Sequence, residues 1–186
     1  MDCNTKQFCD VIYQRSEEHS KAFALMLQNT LYGQAMSILR QELDTLVRLI
    51  FLLSHNVNDR AHFIQQTLNG KKWKYPNSRR PITDREMVEL SNGLYGWTSY
   101  VYKLGCAFIH LSILTYYKGI NPFSCLAAED NLNIKLFLHQ YHSFPLDTEL
   151  NMKTIIPYLD KIFDKVSSHV VYYTDKLCHY ENIDNY

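Results

Sequence analysis

Leucine and isoleucine recur along this chain at spacings of three and four, the period at which successive side chains of a helix share one face. The run over 31–55 is the clearest: Leu39, Leu43, Leu46, Ile50 and Leu53 make one apolar stripe that has to be buried. A second run over 154–180 places Ile155, Leu159, Ile162, Val166, Val170, Tyr173 and Leu177 at near-heptad spacing. Pro157 falls in its first turn, where a missing N–H is tolerated. These two helices are expected to form the spine of a bundle. No stretch alternates β-branched and polar residues as a half-buried strand does, so the pattern predicts an all-α fold.

Capping residues and breakers divide the rest. Asn58 is placed to cap a short helix ending before Gly70, and Thr83 with Glu86 has the spacing of a capping box opening a helix over 84–95. Gly119 closes a helix over 97–118, and Ser124, in the turn Asn121-Pro122-Phe123-Ser124, is placed to cap another over 125–142. An N-terminal helix over 5–29 completes the set. Its middle, QRSEEHSK, is polar on every side and is expected to be exposed or kinked. The total is about seven helices with short connections, and no linker divides residues 1–186 into more than one domain.

Composition narrows the class. Apolar residues at 46% and charged residues at 20% suit a packed core and exclude a disordered chain. Nineteen basic against nineteen acidic residues give no net charge, so any attraction to nucleic acid has to be local. The charge is in fact segregated: residues 71–80, KKWKYPNSRR, hold five positive charges and no negative one. Lys71, Lys72 and Lys74 interleaved with Trp73 and Tyr75 suit phosphate contact plus stacking on an unpaired base; the alternative is a solvated loop whose aromatics pack back onto the bundle. Five cysteines without a CxxC pair, behind an N-terminus lacking a basic and apolar leader, point to reduced thiols in the cytoplasm. The longest apolar runs are about half the roughly 20 residues a membrane span needs, so no membrane partner is expected.

Candidate chemistry is sparse. Glu86 and Glu89 lack the second acidic pair that a helical nucleotide pyrophosphohydrolase requires, and Asp160 with Asp164 reads as a solvated face. His139, His142, Cys178 and His179 carry little weight as a zinc set, because eight histidines produce such pairs by chance; no metal or cofactor is expected. His110 is more informative, since it sits in the apolar run VYKLGCAFIHLS and shares a helix face with Lys103. The 31–55 helix offers a matching polar stripe of Arg40, Asp44 and Arg48, with Glu42 to one side. Exposed, that stripe is a salt-bridged surface; buried against the His110 helix, its ions must pair closely or bind an anion.

The segments SILRQELDTLVRLIFLLSH, WTSYVYKLGCAFIHLS and LAAEDNLNIKLFLHQYH, followed by the long last helix, resemble a bacterial branch of the HEPN (higher eukaryotes and prokaryotes nucleotide-binding) superfamily over residues 30–180. The resemblance implies an antiparallel helical bundle, a homodimer, and in many members a metal-independent RNase whose arginine and histidine meet at a dimer cleft. Here Lys103 stands where that arginine would precede His110, keeping the charge but losing the planar fork that grips phosphate. The expectation is therefore a nucleotide- or RNA-phosphate-binding protein, with His110 and Lys103 as catalytic candidates and Arg40, Glu42, Asp44, Arg48, Lys71, Lys72, Trp73 and Lys74 as binding candidates. The alternative is a non-catalytic dimerisation or partner-binding module.

Overall fold

The computed structural model describes residues 2–109 and 119–179, and the features below are those of these residues. They form α1 (Cys3–Gln28), α2 (Tyr32–Leu53), α3 (Val57–Leu68), α4 (Asp84–Tyr95), α5 (Thr98–Ile109), α6 (Ala128–His142), the single turn α7 (Met152–Ile155) and α8 (Leu159–Cys178). Among the described residues there is no strand, and no helix is long and apolar enough to cross a membrane.

α2 is the hub, packed against α1, α3, α4, α5 and α8. Fifteen of its 22 residues are buried, which replaces the expected single stripe with a helix enclosed on nearly every side. Leu39, Leu43, Leu46, Leu49, Leu52 and Leu53 are fully covered and form the centre of one continuous core. Paired contacts set the directions. Tyr13 meets Asp175 and Phe23 stacks on Phe163, so α1 runs antiparallel to α8; Arg15 meets Thr45 and His19 meets Glu42, so it runs antiparallel to α2 as well. α5 and α6 pair the same way, through Trp97 with Phe137 and Lys103 with Asp130.

Local chemistry explains most boundaries. Thr83 and Glu86 form the capping box that opens α4, and Gly96, at φ 72°, closes it in the left-handed conformation that glycine adopts without strain. Three boundaries differ from expectation. Asn56, not Asn58, caps α3, accepting a hydrogen bond from the Asp59 amide. Ser124 lies inside a short 3-10 turn, Pro122–Cys125, capped by Asn121, and α6 begins three residues later behind Ala127 with no side-chain cap. Pro157 sits in a separate 3-10 turn, Ile156–Tyr158, between α7 and α8, because a proline beyond the first turn cannot supply the amide that a continuous helix needs.

The polar middle of α1 is exposed as expected at six of its eight positions, with two exceptions. The helix passes through QRSEEHSK unbroken, and Ser16 and His19 are buried there among Ile12 and Phe23. They are covered because Glu42 of α2 faces them. The helix over 97–118 is seen as Thr98–Ile109, and residues 110–118 lie outside the described residues.

Candidate functional site

The charged residues of α2 diverge. Glu42 turns towards α1, where its carboxylate accepts hydrogen bonds from the Ser16 hydroxyl and, at 2.6 Å, from Nδ1 of His19; its side chain has no exposure. The acid stands between the serine and the histidine, so the imidazole cannot take the serine proton, and the cluster is a tie between helices rather than a nucleophilic triad. This constellation was missed in the sequence, yet Ile12, Ser16, His19 and Phe23 are spaced four, three and four apart. Two polar residues interrupting such a stripe are the signal for a buried polar pair.

Arg40 turns the other way, towards α5. Its guanidinium lies 3.7 Å from the centre of the Tyr102 ring and pairs with Asp44. Only 4% of the residue is exposed, and its Nε has no hydrogen-bond partner among the described residues. Gly105 makes this approach possible: a Cβ there would lie 2.9 Å from both Cβ and Cδ of Arg40. Arg40, Glu42 and Asp44 are therefore engaged by the bundle itself. Lys103 on α5 is paired with Asp130 of α6 and does not approach Arg40 or Arg48 through any contact seen among the described residues. His110 lies outside the described residues.

Arg48, two turns beyond Arg40, meets the basic loop. The loop is held at its centre, where the side-chain amide of Gln66 brackets Lys74, accepting from its N–H at 2.8 Å and donating to its carbonyl at 3.1 Å. The Ile82 amide donates to the Trp73 carbonyl at 2.8 Å. Trp73 itself is 4% exposed, stacked near Phe51 and Phe63, with Nε1 donating to Thr67 at 2.7 Å. The expected base-stacking role for Trp73 is thus corrected: its ring is a core side chain that anchors the loop, because the indole buries more apolar surface than any neighbour in 71–80. Tyr75, half-exposed, is the loop's accessible aromatic, and its hydroxyl donates to Nε2 of His55 at 3.0 Å, the histidine's Nδ1 being committed to the Phe51 carbonyl.

The anchoring leaves a concavity of about 500 Å³ lined by Arg48, Lys72, Trp73, Arg80, Pro81, Ile82, Thr83 and Asp84. Three cations converge on it. Arg48 pairs with Asp84 at 2.5 Å and Arg80 with Glu86 at 2.6 Å, and all four side chains are more than a third exposed. Pairs of this kind contribute about 0–1 kcal/mol, so a stronger anion can displace them. The Glu86 carboxyl is held below the usual carboxylate range, first by the Thr83 backbone N–H and then by the Thr83 hydroxyl and Arg80. Lys72 makes no ion pair among the described residues, and Lys71 and Lys74 extend the positive charge along the loop outside the lining. Of the binding candidates, then, the fold gathers Arg48, Lys72 and Trp73 at one place and adds Arg80, Thr83 and Asp84.

His139 donates from Nδ1 to the Phe144 carbonyl at 2.9 Å, and His142 is buried, its imidazole pushed down to about 4 by burial and by the nearby Lys165 and Lys161. Among the described residues no three histidine, cysteine, aspartate or glutamate side chains converge as a metal site would require. Comparison of the chain with protein-family models, characterised proteins and solved structures gives no match.

Proposed function

We propose that this protein is a HEPN-like phosphate-binding bundle that engages single-stranded RNA or a nucleotide at the notch between the 71–80 loop and the start of α4. One observation carries the reading: Arg48, Lys72 and Arg80 converge on a solvent-open concavity, and the ion pairs that the two arginines make there are exposed and replaceable. Arg48 and Arg80 present planar forks to phosphate oxygens, while Lys72 adds a compact charge. The neighbouring Lys71, Lys74 and Arg79 draw an anionic strand towards the notch. A homodimer belongs to this reading through the HEPN resemblance, as does a degenerate metal-independent RNase activity with His110 as acid or base and Lys103 countering developing charge.

Burial of Arg40 and Glu42 favours a second reading, in which the bundle is a non-catalytic dimerisation or partner-binding module and its polar residues are internal ties. Anisotropy of a short fluorescein-labelled RNA across a salt series separates the two. The first reading expects affinity to fall as salt rises, and the double variant Lys72→Glu, Arg80→Glu to weaken binding and flatten the dependence by about 0.7 in logarithmic slope for each phosphate contact removed. Binding that is absent, or indifferent to both salt and substitution, overturns it. Free nucleotides as competitors tell a mononucleotide ligand from a strand. Cleavage in EDTA that disappears in His110→Ala supports the RNase; no cleavage, or equal cleavage by both proteins, removes it.

A further inference from the structure

At the opposite end of α4 lies a second concavity, of about 510 Å³, lined by Leu94, Tyr95, Ser168, His169, Tyr172 and Tyr173. Its walls are aromatic and continuous: Tyr95 and Tyr173 are 5.8 Å apart between ring centres, Tyr172 stands edge-on to Tyr173 at 5.0 Å, and His169 reaches Tyr173 at 6.2 Å. Behind His169 stands Trp97, edge-on at 5.6 Å.

We infer that this pocket takes an unpaired nucleobase, stacked against the tyrosines and hydrogen-bonded to Nε2 of His169. His169 donates from Nδ1 to the Lys165 carbonyl at 2.6 Å, which leaves Nε2 to accept a hydrogen bond from a base N–H. Burial holds this imidazole below its ordinary value, and the charge of Lys165 adds to that against the backbone hydrogen bond, so the accepting form is the one present at neutral pH. Ser168, exposed on the rim, supplies a hydroxyl that donates or accepts. Tyrosine faces hold any base, since each base has a π surface.

Charge distinguishes this guest from the other one that an aromatic cage accepts, a quaternary ammonium. The ammonium of Lys165 is 4.9 Å from the Trp97 ring and that of Lys176 is 5.2 Å from the Tyr172 ring. One cation therefore already sits against a wall of the pocket and a second lies close to His169; both repel a cationic guest, while a neutral ring carrying a phosphate is welcome. Asp84, beside the basic notch, and Tyr95, in the pocket, are eleven residues apart on α4, about 16 Å along the axis and only about 20° apart around it. One strand of a few nucleotides can lay phosphates in the notch and a base in the pocket. In this respect the inference rests on the phosphate-binding reading above.

The test uses uncharged nucleosides and RNA in parallel. Trp97 reports on the pocket through His169, and Trp73→Phe leaves it as the single tryptophan. Adenosine, cytidine, guanosine or uridine is expected to change Trp97 emission at any salt concentration. Tyr172→Ala, at an exposed position, is expected to lower both nucleoside and RNA affinity about tenfold, with Tyr172→Phe restoring them. If no nucleoside alters Trp97 emission and Tyr172→Ala binds RNA as the parent does, the base pocket is overturned, and the Lys72→Glu, Arg80→Glu variant still decides the phosphate notch separately. Nucleoside binding with RNA affinity untouched by that charge reversal sinks the notch and keeps the pocket. A response to tetramethylammonium without one to nucleosides overturns the assignment of the guest.

Discussion

Arg40 and Arg48 lie two turns apart on α2, each paired with an aspartate, and they do opposite things. Around Arg40 the helix is sealed. Tyr102 covers the guanidinium, Gly105 lets α5 come close, and on the other flank Glu42 is enclosed by Ser16 and His19. The Arg48 side chain meets the loop and the first residues of α4, and it stays 39% exposed beside a partner that is itself half in water. The same residue type is a structural tie where another helix crosses it and an exposed, exchangeable charge where a loop does. What separates them is solvent, because an ion pair is costly to dissect in a dry environment and nearly neutral to exchange in a wet one.

The contrast can be broken at its strongest point first. Glu42→Ala strands two buried donors, each costing roughly 1–3 kcal/mol when unpaired, so a loss of about 3 kcal/mol is expected in urea unfolding at neutral pH. Glu42→Gln, which keeps an acceptor for Ser16, should lose clearly less. An alanine variant as stable as the parent would mean that the α1–α2 tie is not buried as described.

Gly105→Ala is expected to cost about 1–3 kcal/mol, since its methyl group meets the stem of Arg40 rather than a mobile tip. Thermal unfolding of Gly105→Ala in an Arg40→Ala background sharpens the point: the penalty should shrink once the stem is removed. The smallest effect belongs to Arg48→Ala, expected to change stability by less than about 1 kcal/mol while weakening RNA binding and its salt dependence. If Arg48→Ala unfolded the protein as readily as Glu42→Ala, the two ends of α2 would not differ in kind.

Legibility in the sequence followed the range of the interaction. The capping box at Thr83 and Glu86 was readable because its partners are three residues apart. The apolar stripe of α2 was readable too, but not that Val47, Leu49, Phe51 and Leu52 would also be covered, since that depends on five other elements packing around one helix. The basic loop stood out by composition, whereas the choice for Trp73 between a stacking surface and a ring packed back on the bundle stayed open: nothing local says that Phe51, Phe63 and Thr67 wait to receive the indole. The stripe Arg40, Asp44 and Arg48 was seen as one face. Its division into a sealed half and an open half was not visible, because the residues deciding it, Tyr102, Gly105 and Asp84, lie between 36 and 65 positions away along the chain.

Helical period, capping chemistry and the concentration of positive charge in 71–80 are properties of neighbours along the chain, and they determined the all-helical class, most helix limits and the basic loop. Which carboxylate is dry, which guanidinium meets water, and which aromatics enclose space at the far end of α4 were decided only when distant segments packed. Desolvation is a property of the whole surrounding volume, and no short stretch of residues carries it.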